Sequence, residues 1–240
     1  MREIYEKEIQ ICPSLADASG RLGVPDTFGI CMDIASAHAE ELGVGFKAMA
    51  ERGLFWLTVK TQLHFLRRPL MMSSVTARTW PEAPGKLRCC RSYELTQDGE
   101  TLIAGKTEWA IIGTQTHRLT PAAEVYPEGL AFPPSACAGP FARVPDDFED
   151  AEAYAAWTVR STDIDVGGHM NNAAYVRMLI GSLSNAELKA LRIRRMDVIF
   201  RAPCFEGEQL RLYRRPTEDG LALRAARGEE TVLLACVERQ

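Results

Sequence analysis

The same order of predicted elements occurs twice in this chain, and that repeat constrains the fold more than any other feature. Each half reads as a strand, a Gly-containing loop, a helix and then a run of strands. Leu66-Arg67-Arg68-Pro69 matches Phe200-Arg201-Ala202-Pro203, and Asp17-x-x-Gly20 matches Asp165-x-x-Gly168. The elements come in the same order, and the difference in residue number between matched segments changes only gradually along the chain. This pattern favours two copies of one helix-plus-sheet unit over one large domain.

In the first half the sequence predicts one helix among several strands. Asp26 or Thr27 is suited to cap the start of the helix, and Gly43 is suited to end it. An apolar stripe of helical period supports this helix and comprises Phe28, Cys31, Met32, Ala35, Ala39 and Leu42. The predicted strands cover residues 5–12, 54–66, 73–80, 87–96 and 101–113. Asp98-Gly99 between the last two is typical of a hairpin turn.

The second half predicts the same series. A strand over 157–164 precedes a Gly-rich loop and a helix over 172–183. Four strands follow, over 196–201, 209–215, 221–226 and 231–238. Between the halves, residues 127–152 are rich in proline and then acidic, which indicates an interdomain linker. We therefore predict an α+β chain with a first domain over 1–126 and a second domain over 153–240.

Composition narrows the class of protein. In 240 residues, 46% are hydrophobic and 25% are charged, which argues against disorder and against a coiled coil. The net charge of −4 gives no general attraction to nucleic acid, and no apolar run approaches the length of a membrane span. The charged first residues lack an apolar signal core, so we expect a cytoplasmic protein without membrane insertion.

The seven cysteines are scattered, and none forms a Cys-x-x-Cys pair. This pattern indicates neither a disulfide framework nor a zinc ribbon. Only four histidines occur, so we expect no His-based metal site and no metal or organic cofactor. Of these, His38 is expected at a surface or core position, His64 in a structural role on a strand, and His117 in an exposed turn.

One stretch carries candidate chemistry, at the junction of a strand and a helix. Gly167-Gly168 allows a sharp turn and a close approach of the backbone to a ligand. Asp165 and His169 flank this turn, and a carboxylate beside an imidazole suits general acid–base work on water. The amides of Gly167, Gly168 and His169 are candidates to hold an oxyanion. The alternative is that these residues are ordinary turn and cap residues.

The motif Asp-x-x-Gly-His-x-Asn-Asn-x-x-Tyr, from Asp165 to Tyr175, resembles the signature of hotdog-fold thioesterases. More specifically, the chain resembles the acyl-(acyl carrier protein) thioesterases of plants and bacteria. The resemblance implies two tandem hotdog domains, each a curved antiparallel sheet wrapped around a long helix, forming a pseudo-dimer in one chain. Further matching segments cover most of the length: Trp56-Leu57-Thr58-Val59, Arg67-Arg68-Pro69, Thr79-Trp80, Asp98-Gly99-Glu100-Thr101-Leu102, Trp109-Ala110-Ile111-Ile112 and Arg118-Leu119.

The resemblance also implies site residues. The family's catalytic set is Asp, Asn and His in Asp-x-Asn-x-His, with a Glu after the following strand. Asp165 and His169 stand in place, whereas Gly167 occupies the Asn position and the Glu position falls near Pro203. Glu206 is the nearest substitute in sequence for the missing Glu. The first half has Asp17 but no His at the matching place, so we expect its site to be degenerate and to shape the acyl pocket.

Three interpretations follow from these departures. In the first, which we favour, Asp165 is the base, His169 positions water or substrate, and Asn171 or Asn172 assists. In the second, Cys204 contributes as a nucleophile. In the third, the site only binds acyl groups.

An acidic carrier protein as partner predicts a basic docking surface. Residues 188–228 hold ten Lys and Arg against five Asp and Glu. If the patch is a docking surface, binding weakens as salt rises; the alternative is that these are ordinary solvated positions. The candidates are Arg192, Arg194, Arg195, Arg211, Arg214 and Arg215.

We therefore expect a cytoplasmic bacterial thioesterase that hydrolyses fatty acyl thioesters on acyl carrier protein and releases free fatty acid. Two alternatives are retained: a non-catalytic acyl-thioester-binding module, and an acyl-thioester dehydratase or hydratase. No nucleic-acid partner is expected, and a homodimer is left open.

Overall fold

The computed structural model describes residues 2–240 and divides the chain into two compact units. The first unit comprises residues up to Gly23 together with Gly29–Gly139. The second comprises Val24–Phe28 together with Pro140–Gln240. Each unit contains helix and antiparallel strand, so the predicted α+β class is confirmed.

The first unit is built on a five-stranded antiparallel sheet with one short additional strand. Its strands lie in the order β1-β3-β4-β5-β2, with β6 paired to β5. The bounds are β1 Tyr5–Gln10, α1 Val24–Glu41 (of which the part from Gly29 onward belongs to this unit), α2 Phe46–Glu51, β2 Leu54–Phe65, β3 Ser74–Pro81, β4 Cys89–Gln97, β5 Glu100–Gly113 and β6 Leu119–Thr120.

The second unit has five strands in the order β8-β11-β10-β9-β7. Its bounds are β7 Ala153–Thr158, α3 Asn172–Gly181, α4 Asn185–Leu191, β8 Ile193–Phe200, β9 Gln209–Thr217, β10 Gly220–Arg227 and β11 Glu230–Arg239. If the strands of each unit are numbered from one along the chain, leaving out the short β6, the spatial order is 1-3-4-5-2 in both units. The repeat expected from sequence is therefore present in the topology.

Helix α1 begins earlier than predicted. Gly23, rather than Asp26 or Thr27, is the residue before its first turn, and Pro25 lies within that turn. Proline is favoured there because the amides of the first turn lack partners within the helix. The C-terminal expectation is confirmed, since Gly43 adopts a φ of +69° just after the helix and its amide donates to the carbonyl of Glu40.

Two short helices, α2 and α4, were not predicted. They span six and seven residues, too few for a clear helical period. The α4 helix carries a local signal nonetheless. Ser184 and Glu187 form a capping box, in which each side chain accepts from the other residue's amide.

The segment over 121–152 contains no strand, but it is not a loose surface connection. Leu130, Cys137, Val144 and Phe148 are buried along it. Its acidic part forms ion pairs within the second unit, where Asp146 lies 3.0 Å from Arg201. The expectation of a connection running over the surface is therefore too simple, because its apolar side chains pack into the units.

The described residues include no helix that is both long enough and apolar enough to cross a bilayer.

Candidate active site

The loop between β7 and α3 folds into a tight turn that brings two candidate side chains together. The amide of Asp165 donates to the carbonyl of His169 at 3.0 Å, and the amide of Gly168 donates to the carbonyl of Asp165 at 3.0 Å. Gly168 adopts a φ of +79°, a conformation that glycine tolerates best. As a result, Oδ1 of Asp165 lies 3.7 Å from Nδ1 of His169, and about one third of each side chain is exposed.

Gly167 lies beneath this pair and leaves room for it. Its amide donates to Oδ1 of Asp165 at 2.7 Å. A Cβ at this position would lie 2.9 Å from Cε1 of His169 and 3.0 Å from Oδ1 of Asp165. Any larger residue therefore requires the carboxylate or the imidazole to move.

Hydrogen bonds from several elements hold the loop in place. The amide of Met170 donates to the carbonyl of Cys204, and the amide of Asn171 donates to the carbonyl of Asp163, each at 2.8 Å. The carboxylate of Asp163 also accepts from Nε1 of Trp157 at 3.1 Å. The sequence did not single out Asp163 or Trp157, since their roles depend on contacts between the loop and strand β7.

The predicted oxyanion donors need correction. The amides of Gly167 and Gly168 both donate to Asp165, one to its carboxylate and one to its carbonyl. A turn this tight closes on its own backbone, so these two donors hold the loop rather than point to an open position. The carboxylate of Asp165 is thereby oriented by its own loop.

The auxiliary residues divide into structural and exposed positions. Oδ1 of Asn171 accepts from the amide of Ala173 at 2.8 Å, which makes Asn171 the N-cap of α3. Asn172 is the first residue of that helix and is half-buried. Glu206 is exposed, as is Pro203. No hydrogen bond joins Glu206 to Asp165 or His169 in the part of the chain that is described.

Cys204 does not suit the role of a nucleophile. Its side chain is fully buried, and this burial raises the pKa of the thiol. A thiol must ionise and reach the substrate to attack it, and Cys204 is disfavoured on both counts. The carbonyl of Cys204, which accepts from Met170, is the part of the residue that serves the site.

The first unit contains a second loop with the same backbone pattern. The amide of Asp17 donates to the carbonyl of Arg21 at 2.8 Å, and the amide of Gly20 donates to the carbonyl of Asp17 at 2.9 Å. The amide of Ser19 donates to Oδ1 of Asp17 at 2.8 Å, as Gly167 does to Asp165. Asp17 thus matches Asp165, and Arg21 stands where the second unit has a histidine.

An arginine binds the carboxylate of this first loop. Arg68 forms an ion pair with Asp17 and also donates to the carbonyl of Leu22 at 3.1 Å. Partial burial acts to raise the pKa of Asp17, but hydrogen bonds from Ser19 and Arg68 outweigh it and hold the pKa below its usual value. The first loop therefore has a neutralised carboxylate and no imidazole.

The predicted docking arginines are largely paired with acids. Arg195 lies 2.6 Å from the buried Asp197, and Arg215 lies 2.6 Å from Asp147. Arg194 pairs with Glu238, and Arg214 pairs with Glu187. Among residues 2–240, Arg192 and Arg211 form no ion pair. The local excess of positive charge expected from composition is therefore smaller at the surface than the count suggests.

Comparison with known proteins identifies the family. The family model described as the acyl-ACP thioesterase N-terminal domain matches residues 2–129. The model of the acyl-ACP thioesterase C-terminal domain matches residues 148–232. The chain belongs to the acyl-ACP thioesterase family. Together the two matched regions cover most of the sequence, and each contains one copy of the Asp-x-x-Gly loop.

Solved structures with this fold include members of the acyl-ACP thioesterase family. An acyl-ACP thioesterase from Bacteroides thetaiotaomicron has a TM-score of 0.89 at 20% identity, covering 99% of this chain and 98% of that one. A 12:0-ACP thioesterase from Umbellularia californica has a TM-score of 0.86 at 19% identity, covering 100% and 98%. These likenesses confirm the predicted double-hotdog fold.

Curated relatives in the acyl-ACP thioesterase family are longer than this chain. A chloroplastic acyl-[acyl-carrier-protein] hydrolase of Cuphea viscosissima is 23% identical over 181 residues, which cover 70% of this chain and 44% of the relative. A chloroplastic oleoyl-acyl carrier protein thioesterase of Coriandrum sativum is 21% identical over 196 residues, covering 73% and 52%. The chain spans about half the length of these relatives.

Proposed function

We propose that this chain hydrolyses fatty acyl thioesters carried by acyl carrier protein and releases free fatty acid. Membership of the acyl-ACP thioesterase family supports the reaction class. The observation that carries the proposal is the Asp165–His169 pair, which is held by the turn at Gly168 and reaches solvent. The loop of the first unit has the same backbone but no such pair.

In the proposed reaction, Asp165 acts as general base. Its carboxylate takes a proton from a water molecule while the water oxygen attacks the carbonyl carbon of the thioester. The tetrahedral intermediate then collapses, the carbon–sulfur bond breaks, and the thiolate of the carrier takes up the proton. The products are a free fatty acid and the carrier thiol.

His169 is assigned to the carbonyl oxygen of the substrate. Its imidazole lies beside the carboxylate of Asp165, with Nδ1 3.7 Å from Oδ1, so a donor from this ring can act where Asp165 delivers the water. A donor at this point stabilises the negative charge that develops on the oxygen in the transition state. The assignment replaces the amides of Gly167 and Gly168, which are already engaged with Asp165.

A second candidate function is a non-catalytic acyl-thioester-binding module. Gly167 at the Asn position and Pro203 near the Glu position favour it, because two groups that the family uses for catalysis are missing. The two functions differ in one measurement, the release of thiol from a bound thioester.

The roles of the two domains belong to the proposal. We assign catalysis to the second domain and the shaping of the acyl pocket to the first, with residues 127–152 between them. The neutralised carboxylate of Asp17 supports this division, since Ser19 donates to one of its oxygens and Arg68 binds the other. A cytoplasmic location and a bacterial source stay predictions, and a homodimer stays open.

The acyl carrier protein is the proposed partner. Arg192 and Arg211 are the predicted docking residues that form no ion pair among the residues the structure describes. Replacing Arg211 with Ala should raise KM for acyl-carrier substrates and leave KM for acyl-CoA unchanged. An equal increase in KM for acyl carrier protein and acyl-CoA substrates would show that Arg211 acts on acyl-chain binding or on stability and not on carrier docking.

Thiol release from acyl carrier protein and acyl-CoA substrates tests the activity. We expect release by the wild type and a loss of roughly 10²–10⁴-fold in kcat for Asp165→Asn. Asp17→Asn is the matched control, since it makes the same change in the first loop and should keep kcat. Tight acyl binding without thiol release above background would replace the enzyme with the binding module.

A further inference from the structure

A buried cation lies between helix α1 and the sheet of the first unit. Arg91 on β4 is only 5% exposed. Its Nη1 donates to Nδ1 of His38 at 3.0 Å and to Oγ1 of Thr79 at 3.3 Å. The other ring nitrogen of His38 donates to the carbonyl of Arg2 at 2.9 Å, so both protein partners of the guanidinium are neutral. Within the described chain, no carboxylate forms an ion pair with Arg91. A buried charge without a counter-charge is unfavourable.

Two further donors beside this cation lack acceptors. The hydroxyl of Tyr93 and Nε1 of Trp109 are buried near one another, and neither makes a hydrogen bond of normal length and angle among residues 2–240. Burial raises the pKa of the Tyr93 hydroxyl, while the nearby positive charge of Arg91 and the side chains of Thr107 and Trp109 oppose that effect. Buried polar groups are nearly always paired in folded proteins, so two orphan donors in one place require an explanation.

The register of the strands directs these groups to one face. Cys89 lies opposite Trp109, and Arg91 lies opposite Thr107 across the β4–β5 pair. Since side chains alternate along a strand, Cys89, Arg91 and Tyr93 share the face that also carries Trp109. Helix α1 covers this face, as the contact between His38 and Arg91 shows. The donors therefore converge within the interior of the unit.

An apolar region continues from this donor set. The rings of Trp109 and Trp56 pack edge to face with centroids 6.3 Å apart, and Tyr126 lies 5.9 Å from Trp56. Phe132 packs against Tyr126 at 5.7 Å. An apolar volume with a few convergent polar groups is the usual composition of a small-molecule site. Further buried members of the same cluster are Leu42, Val44, Met49, Cys89, Ile111, Val125 and Leu130.

We propose that Arg91, Tyr93 and Trp109 form a binding site for an oxygen acceptor at the far end of the acyl chain, a carboxylate or a hydroxyl group. The inference rests on the proposed function, since it takes the first domain as the acyl pocket. An acceptor oxygen satisfies the orphan donors, and a carboxylate also neutralises Arg91. A plain methyl end leaves all of them unsatisfied, so the site discriminates against it.

A purely structural role explains less of the geometry. The network of Arg2, His38, Arg91 and Thr79 ties α1 to the sheet, and that accounts for Nη1 of Arg91. It provides nothing for the hydroxyl of Tyr93 or the indole nitrogen of Trp109. The structural role and the binding site therefore make different predictions for a variant that removes only the Tyr93 hydroxyl.

Binding of free acids to the full chain tests the proposal without hydrolysis. Three acids of equal length serve as probes: an unmodified fatty acid, one with a hydroxyl at the far end, and one with a second carboxylate there. Kd is followed by tryptophan fluorescence. We expect the oxygen-bearing acids to bind about 10- to 100-fold more tightly than the unmodified acid. Equal binding of all three acids, or binding of none, would overturn the proposal.

Two variants and a control identify the residues. Arg91→Met should abolish the preference for the dicarboxylate, and Tyr93→Phe should weaken the preference for both oxygen-bearing acids. Tyr154→Phe is the matched control, because its hydroxyl already donates to the carbonyl of Leu179 in the second unit. If Arg91→Met does not fold, Tyr93→Phe decides alone: an unchanged preference assigns the cluster a structural role. Thiol release by the wild type, measured separately, reports on the proposed function.

Discussion

Asp17 and Asp165 occupy the same position in two loops with one backbone hydrogen-bond pattern, yet only Asp17 forms an ion pair with an arginine. Each carboxylate accepts from the amide two residues later, at 2.8 Å in the first loop and 2.7 Å in the second. Arg68 then binds Asp17, whereas an imidazole lies near Asp165. The same loop backbone therefore carries a carboxylate neutralised by an arginine in the first unit and a carboxylate beside an imidazole in the second.

Gly167→Ala should lower kcat by about 10- to 100-fold, because a small displacement of reacting groups has a large effect on rate. The added Cβ would lie 2.9 Å from Cε1 of His169 and 3.0 Å from Oδ1 of Asp165, so one of the two must move. Initial rates of thiol release measure the change. Ser19→Ala alters the matching position of the first loop and should leave kcat unchanged. Unaltered kcat in Gly167→Ala would show that the observed Asp–His geometry is not needed.

Arg68→Met should lower the free energy of unfolding at neutral pH. It should also reduce the decrease of this free energy as pH falls into the acidic range. Because hydrogen bonds and charge hold the pKa of Asp17 below 3.8, the folded state binds fewer protons than the unfolded state. This stabilisation is present above the unfolded pKa and is lost as pH falls through the folded pKa. Urea unfolding at neutral pH and below about pH 4 should show a difference between variant and wild type that shrinks in acid. A constant difference would contradict the assignment.

The wild type should lose stability as pH falls below about 6.5 through the titration of His38. Burial lowers the pKa of His38 in the folded state, and the positive charges of Arg91 and Arg2 act in the same direction, while its bond to the Arg2 carbonyl and the charge of Glu41 oppose them. The unfolded chain therefore binds a proton more readily than the folded protein in this window. His38→Gln should show a smaller decrease in unfolding free energy between neutral and mildly acidic pH, as measured by urea titration.

Cys204→Ala should retain most of the activity and lose stability instead. The thiol is fully buried, and its burial raises its pKa, so it contributes no nucleophile at neutral pH. Removing a buried sulfur leaves a small void, for which we expect a cost of about 1 kcal/mol. Activity assays and thermal unfolding separate the two effects. Cys12 is exposed and serves as the comparison, since a thiol reagent should modify it first.

Much of the fold was predictable because its signals are local. The helical stripe, the hairpin turn at Asp98-Gly99 and the Gly-rich loop each depend on neighbours a few residues apart. Asp98 and Gly99 both adopt positive φ, as the turn requires. The start of α1 was misplaced, since Gly23 caps it without a side chain and leaves no polar residue to recognise.

The candidate site was predictable only in part. The positions of Asp165 and His169 follow from the motif, but the assignments of the nearby amides do not. Whether the amide of Gly168 is open depends on how the turn closes, and in the structure it donates to Asp165. The burial of Cys204 depends on the packing of α3 against the loop between β8 and β9, where Tyr175 donates to the carbonyl of Ala202, and sequence spacing does not encode that contact.

The sequence by itself determined the two repeated units, the succession of their elements along the chain and the pair Asp165 and His169, because periodicity, turn residues and motif spacing are properties of the chain. Tertiary structure alone decided which carboxylate is neutralised and which charge is buried. Arg68 binds Asp17, which is 51 residues away in sequence, and Arg91 contacts His38, which is 53 residues away. Such contacts arise from the pairing of strands and the packing of a helix on them, and electrostatics depends on those distances rather than on position along the chain.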